Sequence, residues 1–144
     1  MEIRIKKLSE NAVMPRRSSA SAAGADLCAL LDAPIEIEPG ATVFIHTGIA
    51  AEIPEGFAGF VFARSGLASK AGLAPANKVG VVDSDYRGEI MVALHNHSNA
   101  PVTVSGGDRI AQLVILPVIM VDYVEVEELS GTERGAGGFG STVK

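Results

Sequence analysis

The sequence predicts an all-β fold (a sandwich, jelly roll or barrel) with one short helix and a mobile C-terminal arm. Three observations predict it. Short runs rich in Val and Ile recur along the chain, turn clusters of Pro, Gly, Asp and Asn separate them, and a glycine-rich tail follows the last run. The first run, Glu2–Leu8, alternates Ile3 and Ile5 with Arg4 and Lys6, as a half-buried strand does. Further strands are expected at Ala41–Thr47, Phe57–Ala63, Glu89–Asn96, Pro101–Val104, Ile110–Leu116 and Val118–Glu127. Turns are expected at Pro39-Gly40, Pro54-Glu55-Gly56, Asp85-Tyr86-Arg87-Gly88 and Gly106-Gly107-Asp108. Ser65–Ala71 is the helix candidate, barely two turns long.

At 144 residues the chain fits a single domain, with a β body over 1–130 and the arm over 131–144. A formal charge of −5 argues against a general nucleic-acid binder, which needs a basic face, but leaves room for a small anionic ligand. One cysteine, Cys28, rules out an internal disulfide framework. Glu2, Arg4, Lys6 and Lys7 interrupt the N-terminus, so no secretory signal is visible. The longest apolar run, Leu113–Val121, contains Pro117 and is too short for a bilayer, so a soluble cytoplasmic protein is expected. Apolar strands such as Leu113–Leu116 ask for cover on both faces, which neighbouring subunits could supply.

Five constellations carry chemistry. Half of the residues from Gly131 to Gly140 are glycine, so the tail has little to bury and does not order itself. It nevertheless holds Arg134, Ser141, Thr142 and glycine-freed amides that suit phosphate oxygens, and Phe139 on which a base could stack. Asp26 follows a flexible glycine in Ala23-Gly24-Ala25-Asp26-Leu27, where a turn role is the plainer reading. Ser65 in Ala63-Arg64-Ser65-Gly66-Leu67 is a natural N-cap, and the same junction reads equally as an anion site. Asn77–Gly88 reads as a β-hairpin with Asp83, Asp85 and Tyr86 near its tip, Asp83 lying at a strand's end. In Gly107-Asp108-Arg109-Ile110-Ala111-Gln112, Arg109 and Gln112 are three apart in a strand and should face opposite ways.

Taken together and in order, these segments resemble the five motifs of the trimeric dUTP pyrophosphatase (dUTPase) family. The matching stretches are Ala-Gly-Ala-Asp-Leu, Ala-Arg-Ser-Gly-Leu-Ala, Gly-Val-Val-Asp-Ser-Asp-Tyr-Arg-Gly, Gly-Asp-Arg-Ile-Ala-Gln and Arg-Gly-Ala-Gly-Gly-Phe-Gly-Ser-Thr, between Ala23 and Thr142. The resemblance implies jelly-roll subunits in a homotrimer whose active sites are shared, with each arm crossing to a neighbour. Fourteen extended residues reach roughly 45 Å, enough for that crossing. It further implies hydrolysis of dUTP to dUMP and pyrophosphate, keeping uracil out of DNA and supplying dUMP for thymidylate synthesis. Asp83 would activate the attacking water, and Mg2+ on the triphosphate would be held by Asp26 through water. Arg64, Ser65, Gly66 and Gln112 would contact phosphates, and Arg134, Gly140, Ser141 and Thr142 would close from the arm. Asn77, Gly80, Val82 and Met91 would surround the nucleoside, Tyr86 would exclude a 2′-hydroxyl, and Phe139 would stack on uracil. Two rival readings are a dCTP deaminase of the same fold, which needs a glutamate base and a different hairpin, and a nucleotide-binding module without turnover. Cys28 and Lys78 match no role.

Overall fold

A computed structural model describes residues 1–138. Eleven strands form it: β1 (Arg4–Lys7), β2 (Ala25–Cys28), β3 (Ile35–Ile37), β4 (Thr42–Ile45), β5 (Ile49–Glu52), β6 (Phe57–Phe62), β7 (Leu73–Pro75), β8 (Val79–Val82), β9 (Val92–Asn96), β10 (Val102–Val104) and β11 (Arg109–Pro117). They pair antiparallel in four small sheets, ordered β1-β5, β10-β3, β2-β11-β6-β8 and β4-β9-β7. The fold is all-β, as the spacing of strands and turns predicted.

The core is aliphatic. Leu27, Ile37, Ile45, Ile53, Leu73, Leu94 and Ile110 are fully buried and come from most of the sheets. Each such side chain contributes roughly 1.5–3 kcal/mol on leaving water. Buried Asn96 is fully used: its Nδ2 donates to the carbonyls of Ile37 and Ala100, both at 2.8 Å, joining two sheets.

Three sequence expectations need correction. Val118–Glu127 is not a strand. Val118 donates its N–H to Gly56 O at 2.9 Å, but beyond it no described strand lies alongside to supply a ladder. Ile119, Met120, Val121, Tyr123 and Val124 are consequently exposed. Asn77–Gly88 is not a hairpin either: β8 pairs with β6, whereas β9 pairs with β4 and β7. Residues 83–91 therefore cross between sheets. The helix covers Ser65–Ala71 as expected, but its larger part, Leu67–Ala71, is a single π turn with Gly66 at its N-cap and no capping side chain. Ser65 is thus not the cap, although its carbonyl accepts from Ser69 Oγ at 2.6 Å. One turn also has no appreciable dipole with which to attract an anion.

Candidate active site

Residues 83–91 turn away from β8 at the point where the sheet ends, which opens a space between β8, β9 and the crossing loop. The result is a cavity of about 270 Å3 lined by Phe44, Val61, Pro75, Ala93 and the stretch around Asn77–Val92. Asn77, Gly80, Val82, Asp83, Tyr86 and Met91 all line it. Six residues predicted from the sequence to surround a nucleoside thus share one wall. The volume sits just below the ~300 Å3 at which drug-sized pockets begin, which suits a nucleoside better than a whole triphosphate.

Asp83 is exposed at the cavity's mouth and also borders a wider groove of about 800 Å3, with Arg4, Glu55, Ser84, Asp85 and Arg87. Tyr86 donates its hydroxyl to Glu89 O at 2.9 Å, and a Cβ on Gly88 would collide with that hydroxyl, so the glycine makes room for the ring. Lys78, in the turn before β8, has φ +67° and is, among the described residues, the one non-glycine residue at positive φ.

A second, charged cluster lies on the four-stranded sheet. Asp26 accepts from Arg64 Nε at 2.7 Å through Oδ1 and from Arg109 Nη1 at 3.3 Å through Oδ2. Gln112 stands opposite Asp26 on β11 and donates its Nε2 to Ala63 O at 2.9 Å. A Cβ on Gly24 would lie 2.5 Å from Gln112 Oε1, so that glycine makes room for the amide. Arg109 and Gln112 do not face opposite ways. A bulge between Arg109 and Ala111 adds one residue to β11, which puts Arg109 opposite Cys28 and Gln112 opposite Asp26, on one face. The bulge itself leaves no signature in the sequence, and the Arg109–Asp26 contact joins residues 83 apart. Beneath the cluster, burial and then the Asp26 charge push the Cys28 thiol up, which keeps it protonated and inert at neutral pH.

Ser65 and Gly66 are exposed beside this cluster. None of Asp26, Arg64, Ser65, Gly66 or Gln112 lines the nucleoside-sized cavity. Arg134 is exposed and donates Nε to Gly137 O at 2.7 Å, within a turn of its own segment. Phe139, Gly140, Ser141 and Thr142 lie outside the described residues. Among the described residues no three His, Cys, Asp or Glu side chains gather as metal ligands. Asp26 is the acidic group in the cluster, and arginine already occupies both its oxygens. Such a donor set does not chelate a bare cation, but it fits a hydrated Mg2+ whose direct ligands are phosphate oxygens. Sequence reasoning missed Glu89, although it follows directly on Tyr86-Arg87-Gly88.

An all-β protein with a nucleoside-sized pocket beside a carboxylate, and an arginine-rich cluster apart from it, is what fold and site define. The dUTPase family model matches residues 10–143. A deoxyuridine 5′-triphosphate nucleotidohydrolase of Desulfitobacterium hafniense is 56% identical over 130 residues, covering 90% of this chain and 86% of that one. Among solved structures, a Staphylococcus bacteriophage 80alpha dUTPase with dUPNHPP superposes at TM-score 0.90, with 31% identity and 98% of each chain covered. A dUTPase variant from phage phi11 of S. aureus, described as coordinating a structural Mg(II) ion, superposes at 0.82 with 27% identity, over 91% of this chain and all of that one. The chain belongs to the dUTPase family.

Proposed function

We propose that this chain hydrolyses dUTP to dUMP and pyrophosphate, reading the nucleoside in the 270 Å3 cavity and attacking the α-phosphorus with a water held by Asp83. One observation carries the proposal: the six nucleoside-contact residues of the hydrolase motif line a single cavity with that carboxylate at its mouth. The curated relatives' name supports the same substrate. Asp83 is exposed, so it can accept a proton from water and pass it to solvent. General-base assistance of this kind is worth about 10²–10⁴ in rate. Asn77 and the β8 backbone pair with the edge of uracil, and closeness of fit there excludes thymine's methyl. A methyl contributes only about 1–3 kcal/mol of discrimination, so unpaired polar groups carry most of the rejection of cytosine.

Arg64, Ser65, Gly66 and Gln112 then hold the phosphates, and Asp26 orients the hydration shell of Mg2+. When bound, the cation offsets charge on the departing pyrophosphate. Arg134, Phe139, Gly140, Ser141 and Thr142 complete the site from the arm. The phosphate cluster does not line its own chain's nucleoside cavity, which supports a site shared between chains. A homotrimer is the assembly we propose. The exposed apolar strip of Ile119, Met120, Val121, Tyr123, Val124, Val126 and Leu129 supports it, because a soluble monomer rarely shows so long an uncovered run. No described helix is long and apolar enough to cross a membrane, and a cytoplasmic location is part of the same proposal.

The experiment is a pyrophosphate-release assay with dUTP, dTTP, dCTP and UTP, with and without Mg2+, alongside solution mass. Preferential release from dUTP by a trimer is expected. Equal release from all four, or ammonia release from dCTP, defeats the proposal.

A further inference from the structure

We infer that Glu89 is a positioning residue for sugar discrimination: it anchors the crossing loop to the β4–β5 turn and thereby fixes Tyr86 in the pocket wall. The inference rests on the reading of the cavity as the deoxynucleoside site.

Three donors converge on the Glu89 carboxylate. Gly48 N–H and Thr47 N–H donate to Oε1 at 2.7 and 3.1 Å, and His46 Nδ1 donates to Oε2 at 2.8 Å. The neighbouring residue is gripped as well. Thr47 Oγ1 donates to Ile90 O at 2.6 Å, and Ile90 N–H donates to Ile49 O at 2.8 Å. Those anchors are themselves closely packed. Thr47 and Ile49 are buried, and Gly48 has φ +66° with so little room that a Cβ would lie 2.7 Å from Ala12 Cβ and 2.8 Å from Leu30 Cδ2.

From this fixed turn the connection runs to the pocket in one step. The carbonyl of Glu89 accepts the Tyr86 hydroxyl at 2.9 Å, and Gly88 lets the ring lie against the loop. Tyr86, Glu89, Ile90 and Met91 all border the cavity, while the Glu89 carboxylate points to the 46–48 turn. Glu89 thus acts on the substrate only through Tyr86 and the backbone.

A stabilising role alone explains this arrangement poorly. Burial is the largest single influence on Glu89 and opposes its charge. The His46 hydrogen bond, the Gly48 amide, the His46 charge and the Thr47 amide together outweigh it and hold the pKa below the usual carboxylate value. A partly desolvated carboxylate recovers its cost through its partners and leaves little surplus for stability. What it does supply is direction, since three donors fix both oxygens and hence the path of the following backbone.

The test measures kcat and KM for dUTP and for UTP with four variants, each checked for native circular dichroism and solution mass. Glu89→Ala is expected to narrow the dUTP-over-UTP ratio of kcat/KM by about tenfold, mostly through a raised KM for dUTP. Glu89→Gln keeps an oxygen for the two amides and should restore most of that ratio. Tyr86→Phe removes the hydroxyl link alone and should narrow the ratio several-fold, which keeps the test decisive if Glu89→Ala does not fold. Tyr86→Ala should narrow it most. A wild-type ratio in folded Glu89→Ala, or in Tyr86→Phe, overturns the positioning role while leaving the substrate assignment intact if Tyr86→Ala still narrows it. A wild-type protein that does not prefer dUTP overturns both.

Discussion

The proposed nucleoside cavity and the arginine cluster are built in opposite ways. The cavity draws most of its lining from one stretch, Pro75–Ala93, with Phe44 and Val61 closing it, so a single chain completes it. The cluster gathers Asp26 from β2, Arg64 from the end of β6, and Arg109 and Gln112 from β11, residues far apart in sequence that only sheet pairing unites. A charged cluster in which two arginines face one carboxylate has positive charge to spare for a ligand, and under the shared-site proposal that ligand comes from another subunit's cavity. The contrast fits the proposed division, in which recognition is local and phosphate handling belongs to the assembly.

The largest effect should follow from Asp83→Asn, which keeps the shape of the cavity mouth but removes the base. Turnover should fall by about a hundredfold or more with KM for dUTP little changed, measured by steady-state pyrophosphate release. Near-normal kcat would remove Asp83 from the reaction. Removal of residues 132–144 should have a comparable effect on kcat while preserving the oligomeric state, because in the proposal the segment completes the site and not the body. An unaffected kcat would confine the site to the two regions compared above.

Mixing sharpens the comparison. Asp83→Asn and Arg64→Ala chains, each nearly inactive alone, should regain activity when co-assembled from denaturant. If every site takes its cavity from one chain and its cluster from another, random assortment leaves about a quarter of the sites intact. No recovery in verified mixed trimers would mean that both regions of one chain serve one site, and the shared-site proposal would fall.

Much of this was legible beforehand, and the gaps have physical causes. Strands β1, β4, β6, β9, β10 and β11 stand where alternation or apolar runs placed them, because both patterns are local. Strands β3, β5 and β7 were not placed; β5 is buried at three successive positions and so shows no alternation, and β3 and β7 span three residues each. Pairing is non-local, so nothing in Asn77–Gly88 could reveal that β8 joins β6 while β9 joins β4 and β7. The same holds for the bulge that turns Arg109 toward Asp26. Val118–Glu127 has strand composition but no partner among the described residues, and composition alone does not make a ladder. The cavity residues were readable through the motif around Asp83. Glu89 was not, because its partners, His46–Gly48, lie some forty residues upstream and contribute mainly backbone amides.

The smallest expected effect tests how self-sufficient the cavity is. Lys78 occupies left-handed φ in the turn that carries Asn77, where its own N–H donates to Pro75 O at 3.0 Å. Holding a lysine there costs on the order of 1 kcal/mol, and asparagine bears that conformation more easily. Lys78→Asn should therefore raise the melting temperature by roughly 2–4 °C. Its effect on kcat/KM for dUTP should be nil if the turn matters to the cavity only through its shape. The side chain is exposed, so relief of strain should not be offset by lost packing. A higher melting temperature together with a marked loss in kcat/KM would show that the ammonium itself reaches the bound nucleotide. In that case the cavity region would supply a cation of its own, and the division between local recognition and assembled phosphate handling would be less complete than the geometry of one chain implies.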